Sequence, residues 1–184
     1  LRGGTTFSPL AVPYAAFSMV YGYSLGPSMR ELHTSSPAAA FVRRAWVVLP
    51  AGLVALAGLA VGVRELWRRG AAGRMVLSIL IVPVASAAAL ALLNVKPFNV
   101  RYVAVALPAL VVALAAGVTA LGRRRGAVLW GALVLLSCVS LGHYYLDPTY
   151  AKEDVRAAAR HVAAREREGD IVLVPVVRDV FTFY

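Results

Sequence analysis

The sequence predicts an α-helical polytopic membrane protein. It has four transmembrane helices, an outer juxtamembrane helix and the start of a C-terminal extracytoplasmic α/β domain. Three observations carry that prediction. Hydrophobic residues make up 60% of the 184, charged residues only 15%, and mean hydropathy is +0.71, whereas an average soluble domain is roughly 45–50% apolar. Four runs of 19–21 residues contain no Asp, Glu, Lys or Arg. The segments between those runs alternate between rich and poor in arginine. A soluble fold of this size buries only about 70% of the surface its chain exposes, too little to hide such a composition. Disordered chains are polar and highly charged, so disorder is excluded as well. Lipid is the solvent that fits.

Residues 9–26 (PLAVPYAAFSMVYGYSLG) come first. They are apolar but short and rich in Pro, Gly and Tyr. On a helix Tyr14, Phe17 and Tyr21 form an aromatic face, while Ala15, Ser18 and Gly22 are small, and such rings prefer the headgroup level. The segment reads as an outer juxtamembrane helix, with a fifth transmembrane helix as the alternative. The four charge-free runs follow at 45–63, 75–94, 102–122 and 126–146. Each gives a helix of about 30 Å, the hydrocarbon thickness of a bilayer. A charge at the centre would cost roughly 2.5–3.5 kcal/mol on insertion scales. Pro50, Pro83 and Pro108 lie inside runs, where membrane helices tolerate a kink. After Leu146 the composition changes. Residues 152–168 put Val155, Ala159, Val162 and Ala163 on one stripe of an amphipathic helix, stopped by Gly169. Residues 171–177 (IVLVPVV) read as a buried strand disturbed by Pro175. One helix and one strand cannot close a sheet, and the chain begins without Met, so it reads as part of a longer protein. The domain division expected is 1–44, an outer loop with its helix; 45–146, the four spans; and 147–184, the truncated α/β domain.

Arginines set the orientation. The first connector (RELWRRGAAGR) carries Arg64, Arg68, Arg69 and Arg74, and the third carries Arg123, Arg124 and Arg125, while the middle one (VKPFNVR) has only Lys96 and Arg101. Positive-inside bias puts the first and third connectors in the cytoplasm, outweighing Arg43 and Arg44 on the other side. The expected location is the inner or plasma membrane, crossed several times, with the C-terminal domain outside. The net charge of +10 is thus a matter of topology, and nucleic acid is not an expected partner.

Familiar catalytic signatures are missing: no Gly-rich phosphate loop, no nucleophile elbow, no His-Glu-x-x-His. Cys138 is the only cysteine, which rules out an internal disulfide and a cysteine-built zinc site. His33, His143 and His161 lack metal-ligand spacing, so neither metal nor cofactor is expected. Glu153 and Asp154 open the amphipathic helix, where negative charge complements its dipole; Glu166 and Glu168 read as solvated. What remains is the outer rim. Lys96, Arg101 and Tyr102 flank a Pro-Phe-Asn turn, and Arg30, Glu31 and His33 follow a Gly-Pro-Ser turn. Cations converging at a membrane surface suit a lipid phosphate, which Arg binds in bidentate fashion; they equally suit simple snorkelling anchors.

Several stretches resemble bacterial membrane glycosyltransferases of the GT-C type, relatives of the dolichyl-phosphate-mannose protein mannosyltransferases. They are Tyr-Ser-Leu-Gly-Pro-Ser-x-Arg-Glu-Leu-His at 23–33, Phe-Asn-Val-Arg-Tyr at 98–102 ahead of Pro108, and Tyr-x-Lys-Glu-Asp-Val-Arg at 150–156 followed by Gly-Asp-Ile-Val-Leu. Val155 stands where that family usually has an aromatic residue. The resemblance spans essentially the whole chain. It implies a transferase that moves a sugar from a polyprenyl-phosphate carrier to a glycan, lipid or protein acceptor at the outer face. It places the catalytic acid in an upstream loop that this sequence does not contain. It makes Arg101 and Tyr102, then Lys96 and Arg30, the candidate contacts to the carrier phosphate.

The rival is a non-enzymatic membrane protein, a transporter subunit or an assembly scaffold with an outer α/β domain. The spans lack the ionisable groups that transport paths use, whereas helices rich in Gly and Ala pack closely whatever their function. The topology is testable by thiol labelling in a Cys138→Ser background. Ala71→Cys is shielded from a membrane-impermeant reagent in intact cells and Asn99→Cys is labelled; the opposite pattern overturns the assigned orientation.

Overall fold

The computed structural model describes residues 11–28, 31, 37–96, 98–150, 155–165 and 167. The chain forms two compact units, Leu1–Tyr150 and Ala151–Tyr184. Among the described residues the first unit is entirely helical. It comprises α1 (Ala11–Tyr21), α2 (Pro37–Arg68), α3 (Ala71–Leu92), α4 (Val100–Val103), a 3-10 turn (Ala104–Ala106), α5 (Leu107–Ala120), α6 (Gly122–Leu146) and a second 3-10 turn (Pro148–Tyr150).

Four helical segments are long and apolar enough to cross a membrane: Ala39–Arg68, Ala71–Leu92, Val100–Ala120 and Gly122–Leu146. The protein is therefore a membrane-embedded helical protein. The third span is composite, because Pro108 has no N–H to bond the Ala104 carbonyl and its ring crowds that turn. The helix tightens to 3-10 over Ala104–Ala106 and resumes as α5 with Pro108 in its first turn. Pro50 and Pro83 leave α2 and α3 continuous. The helices also run past the charge-free runs. α2 starts early enough to include Arg43 and Arg44, and the arginines assigned to connectors mostly lie in helix ends. Gly70 (φ 73°) and Gly122 (φ 76°) supply left-handed turns, conformations available to glycine at little steric cost. These shrink the α2–α3 and α5–α6 connections to two residues and one residue. The up-and-down order gives the bundle an arginine end, at those two turns, and a loop end, where α2 starts and α6 stops.

The third span is the central one: 39% of its most apolar stretch is buried, against 11–17% for the others. Its contact with α2 is made backbone to backbone. A Cβ on Gly62 would strike the Ala113 carbonyl, and one on Gly117 would strike the Gly58 carbonyl. Gly58 and Gly62 on α2 thus face Ala113 and Gly117 on α5, small residues at four-residue spacing that let membrane helices approach closely. Gly73 likewise lies on the Leu66 backbone and Gly126 on the Val118 carbonyl, closing the two hairpins. Leu66, Leu77, Ala113 and Ala116 fill the core between them. Large residues such as Leu53, Ile81, Val111 and Leu135 stay exposed, as lipid contact requires.

α1 is a short apolar helix, as expected, and it packs against the bundle. Ala15 packs on Ala87 of α3 and Val103 of α4. Phe17 and Tyr21 pack on Ala51 of α2, with Leu133 and Leu136 of α6 against the same cluster. Tyr21 donates from its hydroxyl to the Ala51 carbonyl at 3.0 Å, and the Ser137 hydroxyl donates to the Val20 carbonyl at 3.4 Å. The aromatic face that suggested the headgroup level has its polar atom satisfied by a backbone carbonyl, so it can be buried. At 11 residues, about 16 Å of helix, α1 reaches only part-way across a bilayer.

In the second unit α7 (Val155–Ala163) is the expected amphipathic helix, with Ala159 buried and Arg156, Arg160 and His161 exposed. The strand expected at 171–177, and with it the α/β domain, lies outside the described residues.

Substitution separates the close glycines from the open ones. Gly62→Ala and Gly117→Ala each lower thermal stability in detergent by about 1–3 kcal/mol, the usual range for overpacking. Gly52→Ala, where a Cβ meets nothing within 4 Å, leaves stability unchanged or slightly raised.

Candidate functional site

Two polar assemblies sit at the loop end. The first is built where α3 stops. Asn94 adopts the left-handed conformation (φ 54°). Its N–H bonds the Ala91 carbonyl at 3.1 Å, and the Val95 N–H bonds the Leu90 carbonyl at 2.9 Å, the paired bonds of a Schellman stop. That turn brings Lys96 back beside the helix it leaves. Phe98 then packs with Ala15, Ala87 and Val103, and Asn99 caps α4 by accepting the Arg101 N–H on Oδ1 at 2.9 Å. Tyr102 is thereby set opposite Lys96, whose ammonium lies over the phenol ring 5.5 Å from its centroid, within cation–π range. Together with Pro83, Ser86, Ala87 and Leu90 they line a cleft of about 280 Å³. One wall is the side of α3, apolar but for Ser86; the opposite side carries the Lys96 ammonium and the Tyr102 phenol.

Of the four residues expected at the carrier phosphate, the structure brings Lys96 and Tyr102 together in this cleft. Arg101 is exposed in the first turn of α4, one residue away in sequence and not among the cleft's lining residues. Arg30 lies outside the described residues, as do His33, Glu153, Asp154, Glu166 and Glu168. His161 is exposed on α7. No group of three or more His, Cys, Asp or Glu side chains suited to a metal occurs among the described residues.

No family model, curated protein or solved structure matches the chain.

The second assembly was not foreseen. Ser24, Leu25, Pro27 and Ser28 are almost wholly buried after α1. The Ser24 and Ser140 hydroxyls are 3.3 Å apart, and His143 Nδ1 lies 3.2 Å from the Ser24 carbonyl oxygen, so that nitrogen carries the proton in this contact. Tyr150 donates from its hydroxyl to the Gly26 carbonyl at 2.6 Å. Its ring is parallel to that of His143, with centroids 6.1 Å apart, and the Arg44 guanidinium lies over it at 5.8 Å. Arg44 also pairs with Glu31 at 3.4 Å. Glu31 accepts the Ser28 N–H on Oε2 at 2.8 Å while its own N–H donates to the Ser28 hydroxyl at 3.2 Å. That reciprocity is a capping box. The Ser-x-x-Glu spacing in the sequence signalled it; the partners Arg44, Ser140, His143 and Tyr150, far off along the chain, left no such trace.

A third feature is apolar. A side-open groove of about 650 Å³ runs between α1, α2 and α5, lined by Tyr14, Phe17, Val48, Leu56, Leu110 and Leu114 among others. Hydrocarbon is the natural filling for such walls.

Charge on Glu31 is favoured chiefly by the Ser28 N–H and, against partial burial, by the Arg44 guanidinium, so its carboxyl titrates below its ordinary range. Burial pushes the Tyr150 phenol up. A carboxylate with a lowered folded-state pKa adds stability above its unfolded pKa and loses it as pH falls through the folded one. Between about pH 5 and pH 3, the wild-type melting temperature therefore falls more steeply than that of Glu31→Gln. Tyr150→Phe leaves the Gly26 carbonyl without its donor and lowers stability by about 1 kcal/mol in the same melting assay.

Proposed function

We propose that this chain is part of an integral membrane glycosyltransferase of the GT-C type. It transfers a sugar from a polyprenyl-phosphate carrier to an acceptor at the outer face of the membrane. The observation that carries the reading is the Lys96 cleft, an ammonium over a phenol ring beside a pocket walled by a membrane helix. An amphiphile with a phosphate at the surface and an isoprenoid chain in the bilayer matches that division of polarity. Tyr102 of the cleft and the 23–28 turn also belong to the stretches on which the resemblance to this enzyme class rests.

In this reading Lys96 holds the carrier phosphate, Tyr102 sets the ammonium's position, and Arg101 approaches from the first turn of α4. As the bond between the anomeric carbon and the phosphate oxygen breaks, the electron pair goes to that oxygen. The new bond forms from an acceptor oxygen, which gives up its proton to a basic group of the enzyme. Cations fixed beside the leaving phosphate stabilise its growing charge without reorganising, the usual basis of electrostatic catalysis. The acid–base residue belongs to the upstream loop that the resemblance implies.

In membranes holding the full-length protein, Lys96→Gln and Arg101→Ala each reduce sugar transfer from a polyprenyl-phosphate donor by about ten-fold or more, on the scale of losing one electrostatic donor. The amount of protein in the membrane stays unchanged. Wild-type rates in both variants would return these side chains to the role of anchors and favour the non-enzymatic alternative.

A further inference from the structure

We infer that the arginine end of the bundle is a binding surface for anionic phospholipid headgroups. This holds whether or not the protein transfers sugar. Arg64, Arg68, Arg69, Arg74, Arg123, Arg124 and Arg125 all lie at this end and all are exposed. Glu65 is the only acid among them, and it is taken by Arg69 at 3.2 Å. The other six guanidiniums therefore have no acidic partner among the described residues.

The fold gathers them into one rim. The two short glycine turns keep every arginine within a helix end or next to one. Gly73 against Leu66 and Gly126 against Val118 hold each hairpin at backbone contact, and Leu66, Leu77 and Ala116 share one core across the two hairpins. The rim lies beside the spans, where headgroups are. Trp67 and Trp130, 64% and 60% exposed near this end, are of the type that marks the headgroup level.

Helix stability does not explain the placement of four of them. Arg74 and Arg123–125 sit in the first turns of α3 and α6, which contain no acid, and cations there oppose the helix dipole. Three consecutive arginines also repel one another. All seven cations of the rim are arginine, in a chain that holds only two lysines. The planar guanidinium is the group that grips phosphate with two parallel hydrogen bonds. The densest source of phosphate at this level is the lipid itself, and basic segments at a membrane surface select anionic lipids.

The test uses the full-length protein purified in detergent and melted in mixed micelles with phosphatidylglycerol or with phosphatidylcholine. Phosphatidylglycerol raises the melting temperature over phosphatidylcholine by about 2–4 °C or more. The variant R123Q/R124Q/R125Q loses at least half of that difference, whereas Arg43→Gln at the loop end keeps it. Equal melting in the two lipids, or an undiminished difference in the triple variant, overturns the inference. So does an equal shift from glycerol phosphate or inorganic phosphate in solution, which would make this a site for soluble anions. If the triple variant does not insert, lipid carried through purification of the wild-type protein decides. Anionic species are enriched about two-fold or more over the membrane average, and a composition equal to the membrane's overturns the inference.

Discussion

The backbones of α2 and α5 touch where Gly58, Gly62 and Gly117 have no side chain to keep them apart, with Ala113 completing the contact. In lipid there is no hydrophobic gain from pressing two apolar helices together, so association rests on close van der Waals packing. The remaining architecture follows from that contact. It puts the third span at the centre, with α6 against it through Gly126 and α3 against α2 through Gly73. It leaves the flanking leucines and valines of all four spans facing outward, where the bilayer solvates them.

A central composite span also determines what the loop end can hold. Because Pro108 forces a 3-10 turn below α4, Val103 and Ala106 are driven into the bundle and are fully buried. α1 then has a small-residue surface to pack on. α1 in turn supplies Ala15 beneath Phe98 and Ala87, the support of the segment that carries Lys96 and Tyr102. On the opposite flank the turn after α1 is fixed by Ser140, His143 and Tyr150. The cleft and the serine–glutamate turn therefore stand on one inserted helix, although they share no side chain. The two ends of the bundle differ in kind. At the loop end Arg44 pairs with Glu31 and Lys96 lies over a ring; at the other end six of the seven arginines have no acidic partner among the described residues.

The four spans and the amphipathic helix were legible because hydropathy and charge are local properties: twenty uncharged apolar residues mean the same thing in any context. Boundaries were less so. α2 absorbs Arg43 and Arg44, since the helix continues beyond the hydrocarbon region where a charge carries little penalty, and α6 absorbs its arginine run because Gly122 turns the chain in a single residue. The contacts of α1 were not legible. Its aromatic face suits a headgroup interface and a packed seat equally, and the seat is set by Ala51, whose small side chain admits Tyr21 and whose carbonyl accepts its hydroxyl.

Of the candidate site, the sequence by itself determined which cations stand near one another along the chain, because Lys96, Arg101 and Tyr102 lie within seven positions and one turn. It also determined that the chain belongs in a membrane. Only the tertiary structure decided that Lys96 and Tyr102 line one cleft while Arg101 is not among its lining residues. That outcome depends on the left-handed turn at Asn94 and on Phe98 finding its pocket. Glu31, Arg44, His143 and Tyr150 came together for the same kind of reason. Their partners are separated by up to 124 positions, and contacts at that range are set by how helices pack, a property that no local pattern of residues encodes.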